Sequence, residues 1–206
     1  MNSMGFVKKN KVFAVIRTDD SQKALEFAKA CIEGGLKLIE ITFSFPGAEE
    51  VISKLSGRGG ALVGAGTVLN LDMARSAANS GARFIISPHT DSEIISYSKS
   101  NNLMVVSGAL TSNEIVKAWN LGADMVKIFP VKAVGGTSYI KAIKEALPFI
   151  EIMTTGGVAV ENFTEFLGAG ATAVGLSSTL IGSDGSFNPE VICQRAKRVV
   201  EKLIKT

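Results

Sequence analysis

The chain has 206 residues, is 46% hydrophobic and carries a net charge of +3, which suits a single packed core and excludes a disordered polyelectrolyte. Its basic residues are scattered rather than striped, so no nucleic-acid surface is expected, and no run approaches the ~20 apolar residues of a membrane span. Cys31 and Cys193 have neither metal-ligand spacing nor a disulfide pattern, and Met1-Asn2-Ser3-Met4-Gly5 lacks a signal-peptide apolar core, so a cytoplasmic protein is expected.

In chain order, the first β-rich run is residues 12–16, ending in Arg17-Thr18. A helix follows, with Ala24, Phe27, Ala28, Cys31 and Ile32 on one face, Ser21 as its expected N-cap and Gly34-Gly35 as its stop. The second run, residues 36–42, carries Glu40 and Thr42. The third, 61–65, leads into Gly66-Thr67, and Asn70-Leu71-Asp72 opens the next helix. The fourth, 84–87, ends in Ser87-Pro88-His89, and the fifth, 104–107, precedes a helix opened by Thr111-Ser112-Asn113-Glu114. The sixth, 125–129, contains Lys127 and is closed by Pro130. The seventh, 152–155, runs into Gly156-Gly157, with a helix opened by Glu161-Asn162. The eighth, 173–176, runs into Ser177-Ser178, and a last helix starts at Asn188-Pro189 with Ile192, Ala196, Val199, Val200 and Leu203 as its stripe.

Strand and helix alternating eight times predict a parallel sheet closed by crossover helices, a single (β/α)8 TIM barrel over residues 1–206. The competing architecture, an open doubly wound sheet, needs fewer strands.

Chemistry in such barrels sits at the carboxyl ends of the strands. Lysine and glutamate are seldom buried, yet period-two alternation puts Lys127 on a face with Met125 and Phe129, and Glu40 on a face with Leu38 and Thr42. The apolar residues between them should face the helices, leaving Glu40 and Lys127 to project inward and compensate each other. An amine held in apolar surroundings has its charged form disfavoured, and the neutral amine attacks carbonyls to form a Schiff base. The structural alternative is a lysine that snorkels to water and a glutamate that only neutralises it.

Arg17 offers a planar fork for a carboxylate or phosphate, and Thr67 a hydroxyl beside a Gly-Ala-Gly turn that lets a ligand approach the backbone. Gly156-Gly157 and Ser177-Ser178 follow strands seven and eight, the usual phosphate position of these barrels. His89 is the sole histidine. It cannot build a metal site alone and is expected to be a loop residue near the mouth rather than the base.

Together these motifs resemble the 2-keto-3-deoxy-6-phosphogluconate / 4-hydroxy-2-oxoglutarate aldolase family, through Leu38-Ile39-Glu40-Ile41-Thr42, Val63-Gly64-Ala65-Gly66-Thr67-Val68-Leu69, Ile86-Ser87-Pro88, Val126-Lys127-Ile128-Phe129-Pro130 and Thr155-Gly156-Gly157. The resemblance implies a class I aldolase that needs no metal or other cofactor, releases pyruvate from a 2-keto acid and assembles as a homotrimer. It implies Lys127 as the Schiff-base lysine and Glu40 as the acid/base. Thr67 matches a residue near the substrate carboxylate, Pro88, Phe129 and Thr155 match pocket residues, and Gly156, Gly157 and Ser178 match phosphate-binding positions. Some members carry an arginine four residues after the glutamate, where this chain has Ser44. Others carry one at the end of strand one, so the carboxylate-binding role passes to Arg17. Many members have proline before Thr-Gly-Gly, where this chain has Thr154. A phosphosugar isomerase or epimerase and a non-catalytic barrel that binds a phosphorylated metabolite are the alternatives. The first leans on histidines or metal-bound acids, and the second leaves an inward lysine and glutamate unexplained.

Overall fold

Eight parallel strands pair in sequence order, and the eighth pairs with the first, so the sheet has no edge. The computed structural model describes residues 3–58, 60–182 and 187–205. In order the elements are α1 Ser3–Asn10, β1 Val12–Ile16, α2 Ser21–Glu33, β2 Leu38–Thr42, α3 Ala48–Leu55, β3 Leu62–Gly66, α4 Leu71–Asn79, β4 Phe84–Ile86, α5 Ser92–Ser100 and β5 Met104–Ala109. There follow α6 Ser112–Asn120, β6 Met125–Ile128, a 3₁₀ turn Val131–Val134, α7 Thr137–Ala146, β7 Ile152–Thr154, α8 Phe163–Gly168, β8 Ala173–Leu176, α9 Ser178–Ile181 and α10 Pro189–Ile204. This is the expected (β/α)8 barrel, with strand ends shifted by one or two residues.

Two apolar layers follow from the period of the strands. Outward residues, among them Val12, Ala14, Ile16, Ile39, Ile41, Val126, Ile128, Ile152 and Val174, pack with the helices in one large cluster. Inward residues Phe13, Val15, Leu38, Phe84, Ile86, Met104, Val106, Met125 and Met153 fill the lumen. Phe13 and Phe84 meet edge to face there, with centroids 5.4 Å apart. Burying each such side chain stabilises the fold by about 1.5–3 kcal/mol.

Helix α1 lies outside the eight-fold alternation and was not expected from the sequence. Its Val7 is fully buried, and Met4 and Phe6 pack against the luminal cluster. It therefore stoppers the lumen from the end opposite the strands' carboxyl termini. With only a few apolar residues in eight, it lacked a clear helical stripe.

The N-caps expected at Asn70, Thr111 and Asn188 form, and Thr111 with Glu114 completes a reciprocal capping box. The cap of α2 is Asp20 and not Ser21: Asp20 has extended backbone, and its side chain accepts a hydrogen bond from the Lys23 N–H at 2.8 Å. An aspartate one residue earlier also places negative charge at the positive end of the helix, so it displaces the serine.

Candidate active site

The carboxyl half of the lumen is hollowed by glycines. Glu40 is paired in register with Gly64, and Lys127 with Gly108. Thr42 is paired with Gly66. A Cβ on Gly66 would come within 2.0 Å of Glu40 Oε1, and one on Gly108 within 2.1 Å of the Pro88 carbonyl carbon. Glycine at 66 gives the Glu40 carboxylate room, and glycine at 108 lets the turn after β4 close onto β5, inside a ring whose lower layers are closed by phenylalanine and methionine.

Glu40 is fully buried and Lys127 is 6% exposed. Lys127 Nζ donates to Glu40 Oε1 at 3.4 Å, across the barrel from β6 to β2. The alternation read from the sequence therefore places both residues inward and in contact. Glu40 Oε2 is buried with no hydrogen-bond partner among the described residues. One carboxylate oxygen is thus engaged by the amine and the other is not. Lys127 Nζ also lies 5.6 Å from the centroid of the Phe129 ring. Phe129 is 42% exposed and follows directly on the carboxyl end of β6.

Arg17 and Thr67, expected to share a carboxylate, meet directly: Arg17 Nη2 donates to Thr67 Oγ1 at 3.2 Å. Thr67 has φ +56°, a left-handed backbone that a β-branched residue rarely adopts and that costs about 1–3 kcal/mol. The hydroxyl is held toward Arg17 at that expense. Ser44, where some family members have arginine, bonds instead to Thr42 Oγ1 at 2.8 Å, and Thr42 donates to the Ile16 carbonyl at 2.9 Å. That network ties the ends of β1 and β2 together just below Arg17.

Pro88 is half-buried in the turn after β4. Beside it, Ser87 Oγ and His89 Nδ1 lie 3.0 Å apart, and the His89 side chain is 46% exposed. His89 is a loop residue of the rim, as expected. Thr155 is buried, and its Oγ1 has no hydrogen-bond partner among the described residues. Its methyl packs on β8, where a Cβ on Gly175 would meet Thr155 Cγ2 at 2.6 Å.

Past Thr155 the chain turns through Gly156 (φ +79°) and Gly157 (φ +106°), two successive left-handed residues that only glycine adopts freely. Gly157 and Ser178 line a cavity of about 450 Å³ with Lys132, Thr137, Asn162, Glu165 and Thr179. Gly156 does not line it; its carbonyl accepts from the Lys132 N–H at 3.0 Å and its Cα faces Pro130. Sequence reasoning named two of the lining residues and missed Lys132, Thr137 and Thr179. The available signal for Lys132 was its place just after Phe129-Pro130, at the active end of β6.

Among the described residues no cluster of three or more His, Cys, Asp or Glu side chains is arranged to hold a metal ion, and no helix is long and apolar enough to cross a membrane.

An amine and a carboxylate buried in contact on opposite strands of a (β/α)8 barrel define the working parts of a Schiff-base lyase. The family model "KDPG and KHG aldolase" matches residues 4–192, and the chain belongs to that family. It is 34% identical over 180 residues to the 2-dehydro-3-deoxy-6-phosphogalactonate aldolase of Escherichia coli (strain K12), covering 86% of this chain and 87% of the other. It is 29% identical over 158 residues to the 2-dehydro-3-deoxy-phosphogluconate aldolase of Treponema pallidum, covering 76% and 75%. The KDPG aldolase of Legionella pneumophila, solved with pyruvate captured as a covalent carbinolamine intermediate, superposes with a TM-score of 0.86 at 27% identity over 96% of this chain and 98% of that one.

Proposed function

We propose that the protein is a class I aldolase that cleaves a 2-keto-3-deoxy-6-phospho-sugar acid or 4-hydroxy-2-oxoglutarate to pyruvate and an aldehyde. The observation that carries this is the buried contact of 3.4 Å between Lys127 Nζ and Glu40 Oε1. Through it the ammonium proton can pass to the carboxylate, leaving a nucleophilic amine. Lys127 attacks the C2 carbonyl, Glu40 gives the proton it took to the departing hydroxyl, and loss of water leaves a protonated imine, the electron sink of the reaction. Glu40, now a base, takes the proton of the C4 hydroxyl directly or through water; the C3–C4 bond breaks and the aldehyde leaves. Its electron pair remains on C3 as an enamine. Glu40 returns a proton to C3, and hydrolysis of the imine frees pyruvate.

Arg17 and Thr67 hold the keto-acid carboxylate beside the imine in this reading, which their mutual hydrogen bond supports. Pro88, Phe129 and Thr155 wall the pocket, and Gly156, Gly157 and Ser178 lie at the phosphate end. The joint placement of Gly157 and Ser178 on one cavity supports that end; Gly156 contributes by setting the turn.

The homotrimer remains part of the proposal. An apolar patch supports self-association: Phe149 is 59% exposed and Leu121 39%, with Trp119 meeting Phe149 edge-on at 6.2 Å. A cytoplasmic location is proposed as well, in keeping with two buried free thiols, Cys31 and Cys193.

The test is intact mass after borohydride treatment with pyruvate, with peptide mapping of the adduct. Wild type is expected to trap one pyruvate on Lys127 and Lys127→Ala none. Glu40→Gln is expected to trap it still but to turn over about 10²–10⁴-fold more slowly. An adduct on another lysine overturns the assignment of Lys127, and near-normal turnover by Glu40→Gln overturns that of Glu40.

A further inference from the structure

Resting on the aldolase reading above, we infer that Lys132 is the residue that selects phosphorylated over unphosphorylated substrates, by setting an ammonium charge against the far phosphate of the keto acid. Lys132 lines the same cavity as Gly157, Ser178 and Thr137. Its position there is fixed from two sides. Its N–H donates to the Gly156 carbonyl at 3.0 Å, which locks the 3₁₀ turn onto the glycine turn after β7. Its stem lies on Gly157: a Cβ built on that glycine would fall 2.4 Å from Lys132 Cβ and 3.2 Å from its Cγ and Cδ. Gly157 therefore serves twice, supplying a left-handed turn and leaving space through which the lysine stem reaches into the cavity.

The charge at the end of that stem is uncommitted. Lys23, Lys54, Lys99 and Lys127 each have a carboxylate partner, whereas Lys132 makes no ion pair or side-chain hydrogen bond among the described residues. Glu165 lines the same cavity but forms no ion pair with it. A second group in this cavity also lacks a partner: Thr179 Oγ1 is buried with no hydrogen bond among the described residues. A lysine without an ion pair and a threonine with an unsatisfied hydroxyl, both lining one cavity, match a compact, multiply charged anion with several acceptor oxygens. A phosphate monoester fits this better than the uncharged end of a smaller substrate. The lysine acts there as a point charge, beside glycine and serine backbone that can approach closely.

The experiment is steady-state kinetics with a 2-keto-3-deoxy-6-phospho-sugar acid and with 4-hydroxy-2-oxoglutarate, on wild type, Lys132→Met and Lys132→Arg. Lys132 is exposed, so both variants are expected to fold. In Lys132→Met the ratio of kcat/KM for the phosphorylated over the unphosphorylated substrate is expected to fall about tenfold or more, chiefly through KM, as loss of one charge-assisted contact implies. Lys132→Arg is expected to recover most of the ratio, and the wild-type KM for the phosphorylated substrate to rise with salt. A ratio unchanged in Lys132→Met, or a wild type that does not prefer the phosphorylated substrate, overturns the inference. Borohydride trapping of pyruvate by wild type separates the two readings: with trapping intact, only the role of Lys132 falls; without it, the aldolase reading itself falls.

Discussion

Gly66 and Glu40 compete for one volume: a Cβ on Gly66 would lie 2.0 Å from Glu40 Oε1 and 2.6 Å from its Cδ. The glycine is therefore part of the acid/base arrangement although it has no functional group. Gly66→Ala must displace the carboxylate, and the lumen below it offers only apolar side chains. Overpacking of a core typically costs about 1–3 kcal/mol. The expected outcome is a lowered Tm together with a fall in kcat that exceeds any fall in pyruvate trapping, since Lys127 sits on the far strand. Equal losses in turnover and trapping would show that the methyl group disrupts the whole lumen rather than Glu40.

Thr67 is expected to show the signature of strain kept for function. Its φ of +56° costs about 1–3 kcal/mol in a β-branched residue, and glycine relieves it while adding about 0.4–1 kcal/mol of unfolded-state entropy. Thr67→Gly should thus be as stable as wild type or more so in urea denaturation. It should nonetheless bind keto acids less well, because the hydroxyl that pairs with Arg17 at 3.2 Å is gone. Arg17→Ala should raise KM for keto acids with little change in Tm, as Arg17 is exposed. A marked loss of stability in Thr67→Gly would mean that the hydroxyl is structural.

The barrel was legible because its strands carry the signal twice, once as short β-rich runs and again as an alternation that separates Ile39 and Ile41 from Glu40. The same alternation put Lys127 and Glu40 in the lumen, a local inference that needed no knowledge of which strands are neighbours. Pairwise facts were not legible in this way. That Arg17 touches Thr67, or that Gly66 makes room for Glu40, depends on contacts between different strands, and a glycine read alone says only that a turn or a close approach is possible. Lys132 was overlooked for the same reason: it became noticeable only when the turn after β7 was seen lying against its stem. Helix α1 escaped because its Met4, Phe6 and Val7 answer to the lumen and not to a neighbouring helix, so they follow no amphipathic stripe.

The α1 stopper is held to the base of the barrel by Glu151, which lies just before β7, accepts from Lys8 Nζ at 2.5 Å and accepts from Thr172 Oγ1 at 2.6 Å. Burial is the largest single influence on this carboxyl and pushes its pKa up. The Lys8 and Thr172 hydrogen bonds, with the charges of Lys8 and Lys144, together outweigh it and hold the group below its ordinary value of 4.5. A carboxyl depressed by folding stabilises the native state above its unfolded pKa, and that contribution is lost as pH falls through the folded value. Lys8→Met removes the main cause of the depression. Because the Lys8 side chain is 54% exposed, the difference between wild type and variant near neutral pH should be only about 0–1 kcal/mol. It should shrink as pH falls through the folded-state pKa of Glu151 and vanish once that carboxyl is protonated in both proteins. Urea denaturation at several pH values from neutral downward tests this. A gap that persists undiminished in acid would show that Lys8 acts through the packing of its stem on the barrel floor and not through its charge.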